Sequence, residues 1–326
     1  MPVSQVGTGK ESSAPAPVSI IVPVYRSTES LHPLVNRLEE ALAGREFEII
    51  LVDDGSPSAT WEIAADLAMT HASVSAMRLG RNFGQHNALL AGICSARHPV
   101  IVTMDDDLQN PPEEVPRLLS ALVPGVDVVY GISSNVAQHA WRRFGSSLSR
   151  RVISQLGAVN ATHMSSFRVI RRDLRESFPE DLGPSVSLDA MLSWVTERFA
   201  TIEVQHADRH DGESNYSASR LVRFAIDVTT GYSAVPLQIA LTLGLATAAF
   251  GVAVLAYVLI RFAVSGTSVA GFPFLASIIA IFSGVQLLTL GVIGEYLARM
   301  HFRIMRKPTY VIAEVVPPRD EISDRP

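Results

Sequence analysis

Between Val228 and Gly294 only one charged residue, Arg261, interrupts the chain. A helix needs about 20 apolar residues to cross the hydrocarbon layer of a bilayer, and each half of this run is long enough. The run therefore predicts two transmembrane helices, near 234–260 and 272–294, joined by the short connection RFAVSGTSVAG. The alternative, a helical hairpin buried inside a soluble protein, would need two unusually long charge-free core helices. Arg209, Arg220 and Arg223 precede the first span, and Arg299, Arg303, Arg306 and Lys307 follow the second, whereas the connection carries a single basic residue. Basic flanks mark the cytoplasmic side, so both termini are expected inside and the short loop outside.

The remaining sequence divides around this anchor. We expect a disordered tail over 1–17, a cytoplasmic domain over 18–227, the anchor over 228–296 and a cytoplasmic C-terminal tail over 297–326. The tail lacks the apolar core of a signal peptide, and its GTGKES has neither the preceding strand nor the upstream glycine of a phosphate-binding loop. With 326 residues and a formal net charge of -5, the chain lacks the basic surface that a nucleic-acid partner demands. Its one cysteine, Cys94, excludes a disulfide framework and a thiolate-rich metal site, and reads as a small buried hydrophobe in a helix.

From Ser19 to Gly131, β-branched runs of strand length (SIIVPVY, FEIILVDD, VSAMRL, PVIVTMD, VDVVYG) alternate with helix-like stretches at 29–43 and 84–96. This alternation predicts an α/β domain with a mostly parallel sheet covered by helices on both faces. Open sheets of this kind bind ligands beyond the carboxyl ends of their strands, where this chain places Tyr25, Asp53, Asp54 and Asp105 to Asp107. No G-x-G-x-x-G opens the first helix, which weighs against dinucleotide binding.

Three adjacent aspartates after a buried strand are costly to desolvate and repel one another, so they either hold a cation or cap a surface turn. Asp105 and Asp107, with Gln109 two residues on, have the alternating spacing that sends two carboxylates into one crevice. Hard oxygen ligands of this type select Mg²⁺ or Mn²⁺. Of Asp53 and Asp54, one is expected to cap the following helix while the other meets a base or ribose; the sequence leaves open which. Arg81 is within reach of a phosphate on the same side, or is a solvated surface charge.

PVYRSTESL, VDDGSPS, RNFGQHNALLAG and DDDLQNPPEEVPRL resemble, in order and spacing, the family 2 glycosyltransferases of the GT-A fold. More narrowly they are similar to the membrane-anchored polyprenyl-phosphate sugar transferases of dolichol- and undecaprenyl-phosphate type. GESNYS (212–217) and GEYLAR (294–299) extend the likeness through both spans. The resemblance implies inverting transfer of a sugar from a nucleotide donor, most often UDP-linked, to undecaprenyl phosphate at the inner face of a bacterial plasma membrane. It assigns Pro23, Tyr25, Asp53 and Asp54 to the nucleotide pocket, and Asp105, Asp107 and Gln109 to the metal and diphosphate. We expect these last three to be the catalytic residues, Asp105 and Asp107 to ligate the metal, and Arg81 and Asp106 to join the nucleotide pocket. Two other readings stay open, a polysaccharide-extending transferase of the same family and a non-catalytic scaffold that binds sugar nucleotides.

Three departures qualify the likeness. Arg26 and Ser27 stand where relatives usually carry Asn-Glu, Asn215 stands where many carry lysine, and Thr162 stands where an aspartate is often taken as a base. A hydroxyl acceptor needs such a base. A lipid monophosphate, with a second pKa of about 6, is already largely a dianion at pH 7 and needs none. The acceptor phosphate is expected to meet Arg209, Ser214, Arg220 and His163, with Arg168 from a second basic cluster of Arg168, Arg171 and Arg172. In QHAWRRFGSSLSRRVISQLGA, Trp141, Phe144, Leu148, Val152 and Leu156 share one helical face, which predicts an interfacial helix lying on the bilayer. Small residues such as Gly244 and Gly251 in the first span would permit a homo-oligomer.

Overall fold

The structure is a computed structural model and describes residues 15–133, 165–178, 187–205, 235–265, 272–305 and 308–320. The predicted interfacial helix and the GESNYS segment lie outside the described residues, as do Thr162, His163, Arg209, Ser214, Asn215, Arg220 and Arg223.

Four strands, β1 (Val18–Val24), β2 (Phe47–Asp53), β3 (Val74–Leu79) and β4 (Val100–Thr103), alternate with α1 (Leu31–Ala41), α2 (Thr60–Thr70) and α3 (Gln85–Ser95). After β4 come α4 (Val115–Ser120), β5 (Val128–Ser133), β6 (Arg168–Arg171), α5 (Leu188–Val195) and β7 (Phe199–Val204). The eight-stranded sheet has the order β7-β5-β6-β4-β1-β2-β3-β8, with β8 at Ile312–Val316. Pairs β1–β2, β2–β3, β1–β4 and β5–β7 are parallel. β6 runs antiparallel to both β4 and β5, and β8 runs antiparallel to β3. The sheet is therefore mixed, with six strands in one direction and two against it.

Period-two alternation builds the two faces. Val18, Ile20, Val22 and Val24 of β1 pack with Leu31, Leu34 and Leu38 of α1 and Leu67 of α2. Ile21 of the same strand faces the other way, against Leu89 and Ile93 of α3 and Leu188 and Leu192 of α5. The i, i+3, i+4, i+7 spacing of Leu31, Leu34, Val35 and Leu38 gives α1 its buried stripe. α3 lies close on the sheet at Gly92, where a Cβ would fall 2.3 Å from the Ile21 Cγ2. Cys94 corrects the expectation of a buried thiol: it sits on the exposed side of α3, beside the Tyr310 phenol. The helix periodicity places Ile93 inward, so its neighbour turns out.

Beyond the sheet lie α6 (Val235–Ser265) and α7 (Phe272–Ile304), which contact one another. Leu241, Leu245, Val252 and Leu287 are exposed, and neither helix buries its most apolar stretch inside the protein. A soluble hairpin would cover that surface. These are two helices long and apolar enough to cross a membrane, and their uncovered apolar surface calls for an apolar surrounding. α7 runs to Ile304, past the predicted end at Gly294. Within the segment expected as a cytoplasmic C-terminal tail, Ile312–Val316 forms β8 and pairs with the edge of β3.

Candidate active site

The carboxyl ends of β1, β2 and β4, with the loop entering α3, enclose a cavity of about 480 Å³. Pro23, Val24, Tyr25, Asp54, Asn82, Gly84, Gln85, Asp105, Asp106, Asp107 and Gln109 line it. Parallel register explains the convergence: Val24 pairs with Asp53 and Ile21 with Thr103, so the segments leaving β1, β2 and β4 emerge together.

Seven of the predicted residues meet there: Pro23, Tyr25, Asp54, Asp105, Asp106, Asp107 and Gln109. Asp53 does not line the cavity. It is fully buried, its Oδ1 accepts the Ser56 N–H at 3.1 Å, and its Oδ2 accepts no hydrogen bond and lies 3.5 Å from the Arg78 Nε. Asp53 thus tightens the turn after β2, and Asp54 is the one that lines the cavity. Both Asp54 oxygens also accept backbone N–H groups, from Phe83 at 2.7 Å and Gly84 at 2.8 Å, so the carboxylate ties down the loop at the start of α3. Burial nevertheless pushes its pKa up, outweighing those two bonds. Arg81 is not among the residues that line the cavity; it is exposed, with its guanidinium 4.7 Å from the centre of the Phe83 ring.

The three successive aspartates differ in support. Asp105 Oδ1 accepts from the Gln85 Nε2 at 2.6 Å and its Oδ2 from the Ser166 hydroxyl. Asp106 accepts from the Ser27 hydroxyl, and the exposed Asp107 accepts the Gln109 N–H at 3.1 Å. Burial, aided by the neighbouring Asp107, raises the Asp105 pKa. Burial together with Asp105 and Asp107 pushes Asp106 up to about 6. Hard carboxylates crowded at a desolvated strand end fit a divalent cation, which would relieve their repulsion. Among the described residues no group of three or more His, Cys, Asp or Glu side chains is arranged to enclose a metal by itself. Two carboxylates plus donor phosphate oxygens and water would suit Mg²⁺ or Mn²⁺, which keep part of their shell outside the protein. Protons and the cation would compete for this cluster. Mn²⁺ affinity, followed by electron paramagnetic resonance, is therefore expected to weaken as pH falls through about 6. A flat affinity from pH 7.5 to 5 would show the cluster to be ionised throughout.

Some of the site was not read from the sequence. Asn82, Gly84 and Gln85 belong to RNFGQH, where Arg81 carries the one formal charge and its polar neighbours have no distinguishing pattern of their own. Ser27 and Ser166, which hold Asp106 and Asp105, lie 79 and 61 residues away and carry no local signal. Arg26 and Leu108, both beside lining residues, adopt positive φ, 60° and 59°, which is costly for such side chains. Arg168, expected at the acceptor phosphate, is 1% exposed and paired with Asp189 inside the protein. Its place in β6, an internal strand, turns it inward, which corrects the expectation of direct phosphate contact.

A family model described as glycosyl transferase family 2 matches residues 19–178. An undecaprenyl-phosphate 4-deoxy-4-formamido-L-arabinose transferase of Pseudomonas paraeruginosa is 36% identical over 305 residues, covering 92% of this chain and 90% of that one. Its namesake from Enterobacter sp. is 35% identical over 306 residues, covering 92% and 93%. Among solved structures, glucosyl-3-phosphoglycerate synthase of Mycobacterium tuberculosis, in complex with Mn²⁺, UDP-glucose and glycerol 3-phosphate, has a TM-score of 0.50 at 16% identity, covering 66% of this chain and 78% of that one. Mannosyl-3-phosphoglycerate synthase of Rubrobacter xylanophilus also scores 0.50 at 16% identity, covering 66% and 72%. The solved structures share the fold, while the sequence relatives align over nearly the whole length, too much of the chain to leave out either apolar helix. On that likeness the chain belongs to glycosyl transferase family 2 and is an enzyme of that family.

Proposed function

We propose that this protein transfers a sugar from a UDP-linked donor to a polyprenyl phosphate, undecaprenyl phosphate in a bacterium, at the cytoplasmic face of the membrane. The observation that carries the reading is the cavity itself, which Asp105, Asp106 and Asp107 line together with Tyr25 and Asp54. The chain-long likeness to undecaprenyl-phosphate transferases supports the acceptor.

The parts divide the work. Tyr25, 42% exposed at the rim, offers its ring to the base, and Asp54 faces the nucleoside while bracing the loop of Asn82 and Gly84. Asp105 and Asp107 would hold the cation, whose chemistry is to neutralise the charge of the departing nucleoside diphosphate. Mn²⁺ and UDP-glucose are held together on the same fold in the mycobacterial synthase. A phosphate oxygen of the acceptor forms the new bond to the anomeric carbon as the bond to the donor diphosphate breaks, which inverts that centre. The acceptor arrives as a dianion, so no side chain has to remove a proton, and Thr162 in place of an acid does not block the step. Arg209, Arg220, Ser214 and His163 are the proposed phosphate-holding groups.

The architecture suits a donor from water and an acceptor confined to lipid. β8 rejoins the sheet after α7, so the chain returns to the catalytic domain once both apolar helices are past, which supports two crossings and a cytoplasmic site.

The test is incubation of the detergent-purified full chain with undecaprenyl phosphate, Mn²⁺ or Mg²⁺, and a panel of UDP-, GDP- and dTDP-sugars, following lipid-linked product by mass spectrometry. Product from a UDP-sugar, lost on chelation, is expected. Donor binding without lipid-linked product, accompanied by sugar transfer to a glycan, would overturn the reading in favour of polysaccharide extension.

A further inference from the structure

We infer that Arg168, held by Asp189, is a positioning residue for Asp105 and through it for the divalent cation, an inference that rests on the proposed reaction. The sheet register sets up the contact. Arg168 is the cross-strand partner of Thr103 on β4 and of Tyr130 on β5, which places three side chains together beside α5. The Arg168 Nε donates to the Thr103 Oγ1 at 3.1 Å, and its Nη1 donates to the Asp189 Oδ1. Tyr130 donates its hydroxyl to the same Asp189 oxygen at 2.9 Å. All four side chains are buried or nearly so.

From Thr103 the chain of bonds leads outward. The Thr103 hydroxyl donates to the Ser166 carbonyl at 2.7 Å, and the Ser166 hydroxyl donates to the Asp105 Oδ2. The Asp105 carboxylate is thus aimed by a serine whose backbone is fixed from beneath by the arginine's partner. Its other oxygen is held by Gln85, and the next residue of α3, His86, accepts the Leu188 N–H at 3.4 Å, so both supports of Asp105 are anchored near the start of α5. A buried ion pair is a weak source of stability, because desolvation offsets the attraction. Fixing the orientation of a cation-binding carboxylate is a use that justifies it, and groups behind a metal ligand typically alter affinity by about 10–100-fold.

The test uses Thr103→Val, Ser166→Ala, Thr103→Ser and Arg168→Lys in the full chain. Mn²⁺ binding is measured by electron paramagnetic resonance with UDP present, alongside KM for donor and for undecaprenyl phosphate and the melting temperature. Thr103→Val and Ser166→Ala should each weaken Mn²⁺ binding about 10-fold and raise donor KM, leave acceptor KM unchanged, and show no added loss when combined. Thr103→Ser, which retains the hydroxyl, should restore wild-type affinity. Arg168→Lys keeps the charge but not the fork, and should behave as Thr103→Val. Unchanged Mn²⁺ affinity in Thr103→Val and Ser166→Ala would overturn the inference, as would an Arg168→Lys variant that raises only acceptor KM. If the wild type binds Mn²⁺ and UDP yet makes no lipid-linked product, the proposed reaction fails, while the affinities still decide whether this network aims Asp105.

Discussion

Asp105→Asn is expected to lower sugar transfer by about 10²–10³-fold, the loss usual when one preorganised electrostatic group is removed from a reacting centre, while the protein keeps its fold. The second half of that expectation follows from the site. Asp105 is desolvated and crowded by Asp107, and its pKa is raised, so the ionised side chain stands against folding at neutral pH. Linkage gives the sign: a carboxyl with a higher pKa in the folded than in the unfolded state loses stability as pH rises through that range. A neutral amide removes the penalty and still accepts from Ser166 or Gln85. The melting temperature at pH 7.5 should therefore stay level or rise as product formation collapses. Activity close to wild type in Asp105→Asn would exclude Asp105 from the cation site, and unfolding would show its charge to be structural.

The same trade recurs around the cavity. Arg26 and Leu108 hold left-handed backbone conformations that cost about 1–2 kcal/mol for a side chain with a Cβ. One follows the lining residue Tyr25 and the other precedes Gln109. The Arg26 N–H donates to the Ser56 hydroxyl at 3.1 Å, and Ser27 next to it donates to Asp106, so the turn is held by the walls it connects. Strain of this kind survives where the surroundings over-determine it, and such places are commonly binding sites.

How much of this was legible in the sequence depends on the range of the interactions involved. The strands β1 to β5 and helices α1 and α3 declare themselves through period-two and period-3.6 patterns, because each buries a face on its own neighbours. β6 was not separable from its surroundings: it is four residues long, and two of them, Arg168 and Arg171, are charges that suggest a surface. Their interior partners, Asp189 for Arg168 and the Val126 carbonyl and Asp127 for Arg171, come from elsewhere in the chain. β8 was hidden for a related reason, as an edge strand whose pairing with β3 skips more than 200 residues. At the site, the acidic run was visible because charge after an apolar strand is anomalous in itself. The choice between Asp53 and Asp54 was not, since adjacent residues on a strand end point to opposite sides and only the register with β1 decides which side holds the cavity.

Gly55→Ala is expected to damage the domain severely. Gly55 has φ +64°, and a Cβ there would lie 2.4 Å from the Arg81 carbonyl carbon and 2.7 Å from both the Arg81 Cα and the Asn82 nitrogen. All three are backbone atoms, so no side-chain rotation can relieve the clash. The left-handed conformation costs about 1–2 kcal/mol for alanine, and overpacking adds about 1–3 kcal/mol. The sum of about 2–5 kcal/mol corresponds to a fall in melting temperature of roughly 5–15 °C for a domain of this size. Gly44 supplies the control, since it has φ +83° but no atom within 4 Å of its would-be Cβ. Gly44→Ala should therefore show only the conformational part, about 1–2 kcal/mol, with UDP binding unchanged. In Gly55→Ala the displaced segment is the one that Asp54 ties down through Phe83 and Gly84, so Asn82 and Gln85 would leave the cavity wall and UDP binding would weaken as well. Equal losses in the two variants would mean that backbone conformation alone accounts for Gly55, and that the contact between the β2 turn and the loop entering α3 does not shape the donor site.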